Sequence, residues 1–479
     1  MPKFGITFFL LLTILGSAIA DVFESNYILE FGIMITPQDW EKMQPMHFNQ
    51  FHPAPAPNAN GRPFRPPFPP MMAELDTEYV PTDIHFEGRI WKNVGVRFKG
   101  NSSLKSMPSG LKKPFKFDFD RFVKGQDFFG YQKLNFSNGF KDPSFLRETL
   151  AYHLFQKLDV PASRTVFAKL YLTVEGRYDQ EYLGLYTMIE QVDRVFLADH
   201  FGNNTGLLVK PDRIPDLIPL GGRWKNYEQQ YTLKSRKKEA DTGRFISFLE
   251  FLHESDDEQF TEQIEHYFNV DSFLQLMAIN TVLVNLDSYF GTGHNYYLYH
   301  DTHTDQYNMI PWDLNEAFGN FQQGQTNQLL DMDINHPSVG RRILIERLLI
   351  IEDYRFEYHR NLQALIDIEF HPETMALEID RLTNLIQEAV ITDQHKQFST
   401  NMFEQSLSED LSPRYQEHRK HQRGNNRHPP PPKLDVIFGL KTFVKRRVKS
   451  IDSQLNGRRT GKILEQIRRP KPKEHRPFQ

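Results

Sequence analysis

Residues 284–319 read "VNLDSYFGTGHNYYLYHDTHTDQYNMIPWDLNEAFG", and the way this stretch folds decides how the rest of the chain is read. Two apolar runs, Tyr296–His300 and Tyr307–Trp312, flank a polar segment at 301–306, which is the pattern of an antiparallel hairpin. Setting His300 opposite Tyr307 brings Asn295 opposite Trp312 and Asp313. The open end of the hairpin then carries an amide and a carboxylate side by side, with Asp287 a short loop upstream. Two carboxylates and an amide form an all-oxygen donor set, which suits a hard cation such as Mg²⁺.

Working outward, "DSFLQLMAINTVLVNL" (271–286) reads as a buried helix that delivers the chain to Asp287, and "DTGRFISFLEFLHES" (241–255) as an amphipathic one. Residues 338–398 are strongly helical in pattern, and "LDVIFGLKTFVKRRVKSIDSQLNG" (434–457) predicts a last helix. The first half looks different. Residues 21–49 hold a strand-like run and a helix start in "TPQDWEKM"; 79–99 alternate as a hairpin through Glu87-Gly88. In "KKPFKFDFD" (112–120), Phe115, Phe117 and Phe119 share one face of a strand, and Lys116, Asp118 and Asp120 the other. A helix is predicted from 142, with Asp142 as N-cap, Pro143 in the first position, and a stripe of Leu146, Leu150, His153 and Leu154. Two more strands follow at 165–174 and 181–192.

Composition bounds the function. The 479 residues suffice for a large core and more than one subdomain, and 40 Phe with 19 Tyr make the chain rich in aromatics. A formal charge of −4 gives no global field for nucleic acid. Lys3 precedes the apolar run "FGITFFLLLTILGSAIA", whose Ala18 and Ala20 are the small residues a signal peptidase requires. Cleavage after Ala20 leaves Asp21 first in a secreted, cell-envelope or periplasmic protein, and no other segment is apolar enough to span a membrane. The absence of cysteine excludes thiol nucleophiles and Cys-based zinc sites, and favours a bacterial envelope or secreted protein.

A sheet segment with a lysine, a helix with an acid, and then Asp…Asn…Asp is the order of parts in a protein kinase. The lysine neutralises phosphate charge, the helix carboxylate steadies it, Asn and Asp hold Mg²⁺, and the remaining Asp orients the attacking hydroxyl. Here those parts are Lys116, Glu148, Asp287, Asn295 and Asp313. The segments "VGVRFKGNSS", "KKPFKFDFD", "KLNFSNGFKDPSFLRETLAYHLF", "LGLYTMIEQVD", "NLDSYFGTGHNYYLY", "PWDLNEAFG" and "FVKRRVKSIDSQLNG" resemble the CotH family of atypical protein kinases, in family order over residues 75–457. The resemblance implies ATP bound with Mg²⁺ (or Mn²⁺) and phosphorylation of a protein substrate. It makes Asp287 similar to the catalytic-loop aspartate, Asn295 to its metal-binding asparagine, and Asp313 to the metal aspartate of the "DFG" element. The eight-residue interval from Asp287 to Asn295 exceeds the roughly five of ordinary protein kinases, and Asn315 stands where family members usually carry a second acid.

For the nucleotide, the resemblance puts Asn101, Ser102 and Ser103 over the phosphates and Glu190 near the adenine. The carboxylate partner of Lys116 is Glu148 or Glu190. The expected fold is α+β, a two-lobed atypical protein-kinase-like fold with an antiparallel-sheet small lobe and a mainly helical large lobe. Its expected parts are a signal peptide (1–20), an N-terminal strand, helix and Pro-rich linker (21–74), the small lobe (75–240), the helical lobe (241–457) with a disordered insertion at about 413–432, and a basic tail (458–479). The expected function is an exported Ser/Thr protein kinase. The alternatives are a catalytically silent surface-displayed binding or adhesion protein and a protein AMP-transferase.

Overall fold

Where apolar residues alternate, the chain forms strands that each bury one face. β1 (Leu29–Ile35) buries Leu29, Phe31, Ile33 and Ile35, and β2 (Val80–Phe86) buries Val80, Thr82, Ile84 and Phe86. β3 (Arg89–Phe98), β4 (Phe115–Asp118), β5 (Lys133–Ser137), β6 (Thr165–Val174) and β7 (Tyr178–Glu190) follow. These seven close into a barrel in the order β1-β2-β3-β4-β5-β7-β6. Its neighbours are antiparallel except at the seam, where β1 runs parallel to β6 from Leu29↔Ala168 to Ile35↔Val174. Aromatic rings fill the interior: Phe31, Phe86, Phe117, Phe128 and Phe136 are all buried, with Phe117 and Phe136 4.5 Å apart between centroids.

This computed structural model describes residues 21–44, 77–100, 102–105, 110–212, 214–236, 240–321, 326–411 and 436–465. The expected signal peptide, the Pro-rich stretch 50–72, the insertion at 413–432, residues 466–479 of the tail, and Asn101 lie outside the described residues.

A second sheet has the order β11-β10-β8-β9. It joins β8 (Leu208–Pro211) and β9 (Tyr231–Leu233) to the hairpin of β10 (Tyr296–Asp301) and β11 (Gln306–Pro311). A side chain at Gly206 would overlap the His300 carbonyl oxygen, so glycine permits the close approach of the chain entering β8 to β10. Around this sheet pack the helices Thr242–Glu254, Asp257–Tyr267, Val270–Leu283, Ile343–Ile350, Glu352–Asp367, Pro372–Thr392 and Leu440–Leu455, sharing one core. Among the described residues no helix is long and apolar enough to cross a membrane.

The expected two-lobed kinase-like arrangement with an antiparallel small-lobe sheet is therefore corrected. The sheet is a closed, mixed seven-stranded barrel, and a separate four-stranded sheet lies among the helices. The physical reason is long-range pairing. β1 finds its parallel partner in β6 across the whole barrel sequence, and β8 and β9 are too short to show an alternating pattern. The helix predicted from Asp142 begins later, at Arg147. Asp142 still serves it, because its carboxylate accepts from the Ser144 N–H at 3.0 Å and the Arg147 N–H at 2.9 Å.

The barrel is fastened to the helical part by a fully buried ion pair between Lys112 and Asp393. The Leu185 N–H donates to the same carboxylate at 3.3 Å, and the Tyr182 hydroxyl donates to the Ala389 carbonyl at 2.9 Å.

Candidate active site

The helix Val270–Leu283 is N-capped by Asn269 and buries most of its residues, so its direction is set by packing on every side. It stops at Val284, which takes a left-handed conformation (φ 48°) that a β-branched residue rarely adopts. Two contacts satisfy its last carbonyls: the buried Arg447 guanidinium bonds Thr281 O at 2.9 and 3.2 Å, and Gly319 N–H bonds Leu283 O at 3.1 Å. The chain then runs through Asp287 to the hairpin, whose register pairs His300 with Tyr307 and Tyr296 with Pro311. Trp312 N–H donates to Asn295 O at 3.1 Å, which carries the pairing one step further to the open end.

Asp287, Asn295 and Asp313 meet there. The Asn295 side-chain amide donates to Asp287 O at 2.8 Å and to Asp287 Oδ2 at 3.2 Å, leaving its carbonyl oxygen as an acceptor. Asn295 (φ 60°) and Asp313 (φ 59°) are both left-handed, as are Lys141 (φ 60°) and Phe318 (φ 57°) nearby. Non-glycine residues held in this region of backbone space mark places where the surroundings override local preference, a frequent property of reactive sites. Asp313 is exposed at the mouth of the site, and its backbone N–H donates to the Tyr152 hydroxyl at 3.1 Å.

Charge is concentrated around this point. Burial, then the Asp313 carboxylate, pushes the Asp287 carboxyl up to about 7 against the opposing pull of Lys141. Glu316 rises to about 8 through burial and then Asp287, although Lys141 Nζ sits 2.7 Å from its Oε1. Glu148, on the helix Arg147–Lys157, is pushed up to about 8 by burial and then by Asp313. Lys99, at the end of β3, is lowered by loss of hydration but drawn back up by Asp313 and Glu148. Its ammonium lies 5.5 Å from the centroid of the Trp312 ring, which Lys210 also approaches at 5.8 Å. His294 Nε2 is 3.8 Å from Asp287 Oδ1, and burial lowers the imidazole below its ordinary value.

The other expected residues lie as follows. Lys116 projects from the barrel's outer face and donates to Gln191 Oε1 at 2.6 Å. Burial, then neighbouring cations led by Lys99 and Arg97, hold its ammonium well below its ordinary value, while the Asp193 carboxylate acts on it with the opposite sign. Glu190 is bound at both oxygens by Arg164, at 2.7 and 3.0 Å. Neither carboxylate expected for Lys116 is thus engaged with it; Glu148 faces Lys99 instead. Ser102 and Ser103 lie in a single helical turn, Ser102–Lys105. Asn315 is buried and its amide donates to Phe140 O at 3.2 Å, a structural contact.

Lys99, Tyr152, Lys141 and Glu316 were not singled out by sequence reasoning as partners in the site. Two had a signal: Tyr152 lies one helical turn from Glu148 on the same face, and Lys99 directly follows the alternating strand of β3.

A divalent cation fits these residues. Glu148 Oε1 and Glu316 Oε2 are buried without a hydrogen-bond partner, and the carboxylates raise one another, so a cation would relieve repulsion already present. Among the described residues no three His, Asp or Glu side chains form a metal-holding group. A Mg²⁺-type site takes one or two carboxylates and completes its octahedron with phosphate oxygens and water.

Comparison with known proteins places this geometry in a family. The profile of the family described as CotH kinase protein matches residues 96–422. The chain belongs to the CotH family. It is also similar to "Inner spore coat protein H" of Bacillus subtilis (strain 168), 23% identical over 286 residues that cover 59% of this chain and 75% of that protein.

Proposed function

We propose that the protein is an exported kinase that transfers the γ-phosphoryl group of ATP to serine or threonine hydroxyls of a protein substrate, with Mg²⁺ or Mn²⁺. The observation that carries this reading is the convergence of Asp287, Asn295 and Asp313 at one hairpin end, with Lys99 and Glu148 beside Asp313. Asn295 and Asp313 are the residues that would hold the metal, whose chemistry is to neutralise phosphate charge. Lys99, kept in place by Glu148, neutralises the nucleotide phosphates. Asp287 orients the acceptor hydroxyl and receives its proton. The hydroxyl oxygen bonds to the γ-phosphorus, the bond from that phosphorus to the β–γ bridging oxygen breaks, and ADP leaves with the electron pair. The N-terminal run ending at Ala20 and the spore-coat name of the relative support a location outside the cytoplasm, in a coat or envelope.

The test is incubation of the protein from Asp21 onward with γ-labelled ATP and Mg²⁺ or Mn²⁺, beside Asp287→Ala and Asp313→Ala. Label on the protein or on a generic acceptor, absent in both variants, is the expected result. Label transferred from α-labelled ATP instead means AMP transfer. No label, together with no thermal shift by Mg-ATP, moves the assignment to a surface-displayed binding protein.

A further inference from the structure

Two lysines act on the carboxylates of the candidate site, and Lys99 alone has a role in the proposed reaction. Asp313 and Glu148 act on Lys99. Lys141 lies 2.7 Å from Glu316 and acts on Asp287, a carboxylate for which Lys99 is not among the main influences. Its backbone is held with unusual care. Lys141 is left-handed, its carbonyl accepts the Asn320 amide at 2.9 Å, and the preceding Phe140 carbonyl accepts the Asn315 amide at 3.2 Å. Both amides come from the segment that also carries Asp313, so Lys141 and Asp313 are built on one rigid unit. The ammonium lies 5.3 Å from the Phe140 ring centroid and 5.8 Å from that of Phe321, which narrows its freedom further. The Lys141 side chain keeps 22% of its surface open while Glu316 keeps 6%. Glu316 is held at one oxygen only, its Oε2 buried without a partner. A counter-ion whose sole task was to neutralise Glu316 would have no need of this clamped turn or of a place beside Asp287.

We propose that Lys141 is a catalytic residue, whose ammonium contacts the transferring phosphoryl group from the acceptor side; this rests on the kinase reading above. Phosphoryl transfer spreads charge over three equatorial oxygens, and a donor fixed in advance on that charge acts on the transition state more than on bound nucleotide. Lys141, paired with the buried Glu316, then adds a second cation to Lys99 around the group in transit, and Glu316 is the positioning residue for Lys141.

The experiment compares the wild-type protein, Lys141→Met and the double variant Lys141→Met/Glu316→Gln in labelled-ATP kinetics, with thermal unfolding as the control for folding. The double variant removes the pair without leaving a lone buried carboxylate, so it stays informative if the single variant folds poorly. The expected result is a loss in kcat of about 10²-fold or more in both variants, with KM for ATP and the Mg-ATP thermal shift nearly retained. Recovery of near-wild-type kcat in the double variant would make Lys141 a mere counter-charge and overturn the proposal. So would a folded single variant with kcat within about threefold of wild type, since removing a donor to developing charge costs far more than that. Absence of transfer in the wild-type protein refutes the kinase reading itself, and this inference falls with it; the earlier outcomes leave that reading standing.

Discussion

Replacing Lys99 by Met, beside Lys116→Met, separates the two lysines that sequence and structure favour. Asp313 and Glu148 act on Lys99, whereas Lys116 is depressed mainly by burial and neighbouring cations and bonds a neutral amide. Losing a fixed positive group from developing phosphate charge costs about 10²–10³ in rate, or ~3–4 kcal/mol. Stability should move much less. Burial and then the Asp313 carboxylate already push the Glu148 carboxyl up to about 8, with Lys99 pulling the other way. Taking away Lys99 raises it further, and the variant buries a neutral acid in place of a lone charge. The stability loss is therefore expected to stay within about 1 kcal/mol, less than the cost of stranding a buried ion. Steady-state transfer of label from ATP gives the first quantity and urea unfolding the second. The expected order is a loss in Lys99→Met at least about tenfold greater than in Lys116→Met, since Lys99 is the lysine that Asp313 and Glu148 of the site draw on. A Lys99→Met protein with near-wild-type kcat and KM, or a larger loss in Lys116→Met, refutes the assignment.

Three further outcomes are expected. Arg447→Met strips the buried bonds to Thr281 O, Leu330 O and Met332 O, and should destabilise the fold by about 3 kcal/mol or more; hydrogen exchange should rise first at the end of the helix that delivers Asp287, and uniform exchange would contradict this. Gly184→Ala puts a methyl group against the buried Asp393 carboxylate at a φ of 111°, and denaturant unfolding should show a loss of about 2–5 kcal/mol. Glu378 is raised by partial burial, but bonds from Arg381 and His153 outweigh this and take it down to about 2 from an ordinary 4.5. Its folded-state value is depressed, so its contribution is complete above 4.5 and disappears as pH falls from 4.5 toward 2. Glu378→Gln should flatten the acid limb of the stability curve across that window, and an unchanged limb would count against the interaction.

The hairpin was legible in the sequence because everything that makes it is local. Alternating apolar residues and a polar turn set the register of His300 on Tyr307, and that register brings Asn295 level with Trp312 and Asp313. The helix ahead of Asp287 was legible for the same reason, as an apolar run of the right length ending before a loop.

Other features depended on partners distant in sequence. β1 looks like any alternating strand until β6 lies beside it, and only that parallel seam turns a sheet into a closed barrel. Lys116 and Lys99 are equally plausible as strand lysines. Which one comes under the influence of Glu148 and Asp313 follows from where the barrel sets its rim against the helix Arg147–Lys157, a matter of packing between elements. That Arg164 binds both oxygens of Glu190 is likewise a contact between residues far apart in the chain. Lys141 gained its place beside Asp287 only when the 311–320 segment folded back and clamped its turn. Backbone periodicity and turn chemistry act over a few residues, so the sequence by itself determined the longer strands, the long buried helices and the hairpin that joins Asn295 to Asp313. Electrostatic partnership and barrel closure act through space between residues far apart in the chain, so the tertiary structure alone decided which charges meet.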